Sequence, residues 1–330
     1  MYRKVVVLLD GSELAEEVLP HVAEVVRDRG GQVYLLSVAP LIKGIAPTVV
    51  DVRPPSASMQ EERRRIEREL VEYLQAVAGR LEPAAADVQV SVRFGRPADE
   101  ILAFASDVGA DLIAMSTHGR SGISRWVFGS VADRVLRGAA CPMLLVRAGQ
   151  AQPRTPYQRI LVPLDGSELA EQVLPHVKAL IRPPLSLGPV SDRAPGGLRR
   201  GTSIFLVSVL TTGLGDRTVT LLTSYPPGLR LATTALHHAE VQLRSYLRSV
   251  AAALREQGAA VYIAVQQGSP ADEILAYAAE VEADLIGLTT HGFSGMSRWV
   301  YGNVAGRVLQ GAHSPVLLVR PTSEQGGNRT

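Results

Sequence analysis

LLDGSELAEEVLPHV, from Leu8 to Val22, returns later in the chain as PLDGSELAEQVLPHV, from Pro163 to Val177. Between Val5–Val22 and Ile160–Val177, 14 of 18 positions are identical without a gap. A second pair of stretches behaves the same way. THGRSGISRWVFGSVADRVLRGAACPMLLVR (Thr117–Arg147) recurs as THGFSGMSRWVYGNVAGRVLQGAHSPVLLVR (Thr290–Arg320). Each copy is long enough to be a domain, so the chain is a duplicated fold and not a short-period solenoid. The repeat predicts two domains, 1–148 and 157–321, joined by the polar, turn-prone linker GQAQPRTP (Gly149–Pro156). Positions that differ between the copies mark where their functions can diverge.

Within a copy, short β-branched runs alternate with helical patterns. The first copy reads as strand Lys4–Leu9, helix Ser12–Asp28, strand Gln32–Ala39, helix Ala57–Leu81 and strand Asp87–Arg93. Helix Pro97–Val108, strand Asp111–Ser116, helix Ser130–Gly138 and strand Pro142–Arg147 follow. Runs such as VVVLL and DLIAMS are apolar on both faces, as in a parallel sheet covered by helices. The alternation implies right-handed crossovers and an α/β fold. The second copy carries an insertion, RPPLSLGPVSDRAPGGLRRG (Arg182–Gly201), rich in Pro, Gly and Arg and without apolar periodicity. It reads as a surface loop.

Composition removes several function classes. A net charge of +2, with both signs mixed along the chain, gives no electrostatic footprint for nucleic acid. The run EERRRIERE (Glu61–Glu69) reads as a solvated helix face. A single cysteine, Cys141, excludes a disulfide framework and fits a reducing cytoplasm. Its repeat partner is Ser314, so it reads as a small packed residue and not as a nucleophile. No apolar stretch approaches the ~20 residues that span a bilayer.

The chemistry concentrates in the loop after the fourth strand. The first copy has His118-Gly119, nine residues, then Gly129-Ser130 opening a helix; the second has His291-Gly292, nine residues, then Gly302-Asn303. Glycines admit a phosphate close to the backbone, and the N–H groups and dipole of a helix start favour an anion. Ser130 and Asn303 read as N-caps. A turn-forming role for the glycines fits the same residues. Asp10 and Asp165 each end the first strand, which in a doubly wound sheet lies beside the fourth. Such a carboxylate can accept from a ribose hydroxyl or an adenine amino group, and it also suits an Asx turn into Gly-Ser-Glu; its acceptor capacity covers both.

On the opening strand with Asp-Gly-Ser-Glu, the Thr-His-Gly loop, the Gly-x9-Gly-Ser spacing and the closing CPMLLVR or SPVLLVR strand, the chain resembles the universal stress protein family in its tandem form. The resemblance runs through both halves. It implies two adenine nucleotide alpha hydrolase-like domains, each a five-stranded parallel sheet of order 3-2-1-4-5, pairing through their last strands as an intrachain pseudo-dimer that can associate further as a homodimer. It implies ATP, or AMP or ADP, with Mg²⁺ held through the phosphates, and a nucleotide-dependent regulator or sensor of stress. In the first copy Asp10 and Val38 would contact adenosine, Met115 would line its pocket, and Gly119, Gly129, Ser130 and Val131 would hold the phosphates. The second set is Asp165, Val209, Leu288, Gly292, Gly302, Asn303 and Val304. The family pattern G-x2-G-x9-G-[ST] is broken at its first glycine, which is Ser116 in one copy and Thr289 in the other. The second copy also has Phe293 for Arg120 and Asn303 for Ser130.

Two rival functions remain: a slow ATPase or phosphotransferase in which Arg120 or Arg125 meets phosphate charge, and a nucleotide-free scaffold in which Ser116 and Thr289 close the pocket. Sharper motifs fail. There is no G-x4-GK[ST] and no G-x-G-x-x-G. Gly119-Arg120-Ser121-Gly122 is one residue short of a nucleophile elbow, and His237-His238 lack partners with metal-ligand spacing. No general base is positioned by sequence. His118 and His291 read as loop histidines bonding their own backbone, and Trp126 and Trp299 as anchors of the loop.

Overall fold

The computed structural model describes residues 2–27, 30–40, 57–82, 84–117, 129–149, 156–182, 201–211, 229–290 and 302–321, with the backbone alone for 229–235. The chain divides into two compact units, Met1–Pro153 and Arg154–Thr330. In the first, β1 (Lys4–Leu8), α1 (Glu13–Glu16), α2 (Leu19–Val26), β2 (Gln32–Ala39), α3 (Ala57–Leu81) and β3 (Asp87–Phe94) come first. They are followed by α4 (Pro97–Val108), β4 (Leu112–Ser116), α5 (Ser130–Gly138) and β5 (Met143–Val146). The second unit runs β6 (Arg159–Pro163), α6 (Glu168–Glu171), α7 (Leu174–Lys178), β7 (Ser203–Leu210), α8 (Leu229–Arg255), β8 (Ala260–Gln267), α9 (Pro270–Glu280), β9 (Leu285–Thr289), α10 (Asn303–Gly311) and β10 (Val316–Val319).

The strand order is β3-β2-β1-β4-β5 in the first unit and β8-β7-β6-β9-β10 in the second, the 3-2-1-4-5 order that the resemblance implies. Pairing is parallel, with Val5 opposite Val33 on β2 and opposite Leu112 on β4. Val5, Val6 and Val7 are completely buried. Because side chains alternate between faces, both faces of β1 are covered, which is why the run carries no polar alternation. Each such side chain contributes about 1.5–3 kcal/mol by leaving water.

The single helix expected over Ser12–Asp28 is two. Pro20 lies in the first turn of α2, and its ring excludes the carbonyl four residues earlier while offering no N–H. The chain therefore turns at Glu17–Val18 before α2 begins. Pro175 repeats the break between α6 and α7. A difference between the units lies after the fourth helix. Gly109 caps α4 in the left-handed region, φ 63°; the equivalent Glu282 adopts φ 47°, a conformation costly for a residue with a Cβ. Glu282 accepts from Arg159 Nη1 at 2.6 Å.

The strand starts are tied in both units. Asp111 accepts from the N–H groups of Arg3 and Lys4 at 2.7 and 3.1 Å. Asp284 does the same for Gln158 and Arg159 at 2.7 and 3.0 Å. These clamps fix β1 against β4, and β6 against β9, at the amino edge. The carboxyl ends of those pairs then leave the sheet together, where the candidate site lies.

Candidate functional site

The register Val7 opposite Ala114, continued three residues, brings Asp10 and Thr117 out side by side at the carboxyl edge. In the second unit Leu161 opposite Ile286, continued four residues, does the same for Asp165 and Thr290. Parallel neighbours lie ~4.8 Å apart. The sheet thus brings together the first-strand aspartate and the loop after the fourth strand.

Asp10 is exposed. Its Oδ1 accepts from the Ser12 N–H at 3.0 Å and the Ser12 hydroxyl at 2.6 Å. Ser12 Oγ in turn accepts from the Ala15 N–H at 3.1 Å, capping α1. Gly11, at φ 83°, supplies the left-handed step. The Asx turn is real, and it uses one carboxylate oxygen. Oδ2 has no hydrogen-bond partner among the described residues, so the acceptor capacity expected from sequence is left over. Asp165 repeats the turn through Ser167 and Ala170, and it has a further interaction besides.

Val38 and Val209 are half-buried near the carboxyl ends of β2 and β7. Met115 and Leu288 are buried in β4 and β9 at 7% and 5% exposure. Ser116 ends β4, and its Oγ is buried without a hydrogen-bond partner among the described residues. Such an atom costs about 1–3 kcal/mol when left unsatisfied. Thr117 N–H donates to the Val146 carbonyl at 2.8 Å and Thr290 N–H to that of Val319 at 2.9 Å, prolonging the sheet by one bond.

One expectation is corrected at the start of α5. Ser130 and Asn303 are not the N-caps; Gly129 and Gly302 are, at φ −53° and ψ 149° and 147°, and neither helix has a side-chain cap bond. The extended ψ falls on the glycine, which places Ser130 and Asn303 one residue inside, at the first helical position. The initial N–H groups of both helices are therefore uncapped by side chains, the condition in which a helix start takes an anion. A Cβ at Gly129 would meet nothing within 4 Å; at Gly302 it would lie 3.2 Å from the Thr290 carbonyl oxygen. Ser130, Asn303 and Val304 are exposed and Val131 is half-buried. Gly119 and Gly292, with His118, Arg120, Arg125, Trp126, His291, Phe293 and Trp299, lie outside the described residues, as does nearly all of the insertion 182–201.

Behind Asp10 stands a group that the sequence reading missed. Arg80 Nη2 on α3 donates to Glu16 Oε2 at 2.6 Å, and the buried Tyr73 hydroxyl faces Glu16. Burial, then Glu16 and Asp10, push that phenol well above its ordinary range. Tyr246 stands equally between Glu171 and Asp165, and burial raises it first there too. The signal was present, since Tyr and Glu occupy equivalent places in both copies. Arg80 has no such counterpart, for Ala253 stands in its place. Elsewhere, burial pushes the half-buried Cys141 thiol up to about 11, away from nucleophilic chemistry. Among the described residues, no group of three or more His, Cys, Asp or Glu is placed to hold a metal ion. No described helix is long and apolar enough to cross a membrane.

Each unit thus carries an exposed strand-end carboxylate at the carboxyl edge of its sheet and a helix that starts without a side-chain cap, on an α/β fold. The sequence model of the universal stress protein family matches residues 1–147 and again 156–320, so the chain belongs to that family. Universal stress protein MJ0531 of Methanocaldococcus jannaschii is 32% identical over 147 residues, covering 44% of this chain and 83% of its own length. Universal stress protein Mb2028c of Mycobacterium bovis is 25% identical over 246 residues, covering 72% of each chain. In fold, the chain is similar to the crystal structure of a universal stress protein from Archaeoglobus fulgidus, with a TM-score of 0.63 at 20% identity over 98% of this chain and 97% of that one.

Proposed function

We propose that this universal stress protein binds adenine nucleotide at the carboxyl edge of its sheets and acts as a nucleotide-dependent regulator or sensor. The observations that support this reading are the spare Asp10 oxygen at the carboxyl edge of the sheet, level with Thr117 on the fourth strand, and the start of α5 without a side-chain cap. The two suit opposite ends of one ligand: an acceptor for ribose or adenine donors, and N–H groups with a dipole for phosphate. The residues present fit such a ligand. Among the described residues nothing stands within 4 Å of a Cβ at Gly129, and the buried hydroxyl of Ser116 has no hydrogen-bond partner. Gly119 is assigned to the phosphates on the motif alone, and Gly292 likewise. Mg²⁺, where present, is carried in through the phosphate oxygens. No side chain is assigned a catalytic role, and the chain's output is a bound or free state.

Calorimetric titration of the full chain with ATP, AMP and GTP tests this. Binding of ATP in the wild type that disappears in the Gly129→Val, Gly302→Val double variant, with a far-ultraviolet spectrum unchanged, is the expected result. Equal ATP binding by both proteins, or no heat and no bound nucleotide in the wild type, overturns it. A turnover of ATP above the protein-free rate that vanishes in the same variant would move the reading to the ATPase.

A further inference from the structure

The two sites are built from nearly the same residues but are not in the same state. In the second unit Gly302 N–H donates to the Thr290 carbonyl at 2.9 Å, so the helix start is tied to the end of β9. One of the donors that a phosphate would need is already spent inside the protein. In the first unit, among the described residues, Gly129 N–H has no hydrogen-bond acceptor and nothing lies within 4 Å of a Cβ placed on it. The second difference is independent of the helix. Ser116 Oγ is buried without a partner, while no such orphan atom occurs at its counterpart Thr289. Asp165, too, has an interaction beyond its turn.

We propose that the first unit is the nucleotide-receiving site, with Ser116 donating its hydroxyl to the phosphate chain, and that the Thr290–Gly302 bond is a latch holding the second site closed on itself. The inference rests on the nucleotide reading above and deepens it. The orphan hydroxyl is the device: it costs stability in the free protein and recovers that cost only when an acceptor arrives, which ties occupancy to the ligand. Ser116 thereby turns the missing first glycine of the motif into a contact. In the second unit the donor is satisfied beforehand, so a phosphate must break the latch to enter. One charge opposes the ranking. Asp133 lies in the first turn of α5, where α10 has no acid. Its carboxylate is directed along the helix to Arg137, at 2.9 and 3.1 Å, which offsets its repulsion of an anion.

The test is ATP titration of the full chain in four forms: wild type, Gly129→Val, Gly302→Val and Ser116→Ala. The Gly302→Val form, which keeps only the first site, is expected to bind ATP roughly 10-fold more tightly than Gly129→Val. Ser116→Ala is expected to lose roughly 10-fold in ATP affinity, about one hydrogen bond to a charged group, while melting at a higher temperature than wild type without ligand. Opposite signs for affinity and free-protein stability are what a merely structural serine would not give. Thr289→Ala is expected to leave the tighter binding event unchanged and serves where Gly302→Val fails to fold. Equal sites, a tighter second site, or a Ser116→Ala form with wild-type affinity overturns the inference and leaves the nucleotide reading standing. Absence of ATP binding in every form, wild type included, overturns the nucleotide reading itself.

Discussion

Acidification from pH 7 to pH 5 should weaken the first unit through buried His21, whereas half-buried Asp284 in the second unit shifts in the opposite direction. His21, on α2, is 2% exposed, and burial pushes its pKa from 6.5 down to about 4. The folded value lies below the unfolded one, so the stabilisation is fully present above pH 6.5 and is lost as pH falls toward 4. With those two values, proton linkage gives a loss of about 2 kcal/mol between pH 7 and pH 5, roughly a 30-fold rise in the opening constant. Asp284 behaves in reverse. Burial raises it from 3.8 to about 6, against the lowering effect of the N–H bonds from Gln158 and Arg159. Its ionised form burdens the fold, so stability is complete below pH 3.8 and declines as pH rises through 6. Moving from pH 7 to pH 5 therefore returns about 1 kcal/mol to the second unit, less the loss from half-buried His176, which burial also lowers. Hydrogen exchange by mass spectrometry on the full chain, corrected for intrinsic rates, reads β1 and β6 separately. Protection of Val5–Leu8 should drop between pH 7 and pH 5 in the wild type and stay level in His21→Gln. The same drop in both proteins would refute burial of a neutral imidazole as its cause.

Replacing Glu282 separates backbone strain from its ion pair: Glu282→Gly should be about 1 kcal/mol more stable than Glu282→Ala, since both lose Arg159 but only glycine relieves the positive φ, and matching denaturation midpoints would refute this. Gly109→Ala, where a Cβ meets no atom within 4 Å, should cost about 1 kcal/mol through φ alone, read as a lower melting temperature for the first unit. Ser12→Ala removes both the α1 cap and the hydroxyl hydrogen bond to Asp10; a loss of about 1 kcal/mol is expected, with weaker ATP binding because only the backbone N–H at position 12 still orients the carboxylate. Unchanged affinity in that variant would detach Asp10 from the site.

Much of this architecture was legible because its causes are local. The doubly apolar runs required a covered parallel sheet, and the repeat of Asp-Gly-Ser-Glu placed the same turn twice. The break between α1 and α2 was also local, since Pro20 forbids the bond that a continuous helix needs. It went unread because the amphipathic spacing runs across the proline undisturbed. The cap at Gly129 was misplaced for a similar reason: serine is the better capping side chain, yet the backbone dihedral decides which residue occupies the position.

By itself the sequence determined the duplication, the covered parallel sheets, and the presence of an aspartate and a glycine-opened helix after the first and fourth strands. Those follow from periodicity, spacing and the chemistry of single residues. Only the tertiary structure decided which of these groups remain available. Whether Asp10 keeps a spare oxygen, whether Ser116 finds a partner, and whether Gly302 spends its N–H on Thr290 depend on distances between segments far apart in the chain. Near-identical motifs leave those distances free to differ, because a hydrogen bond is made or lost over a shift of less than an ångström or so, and no residue letter records it.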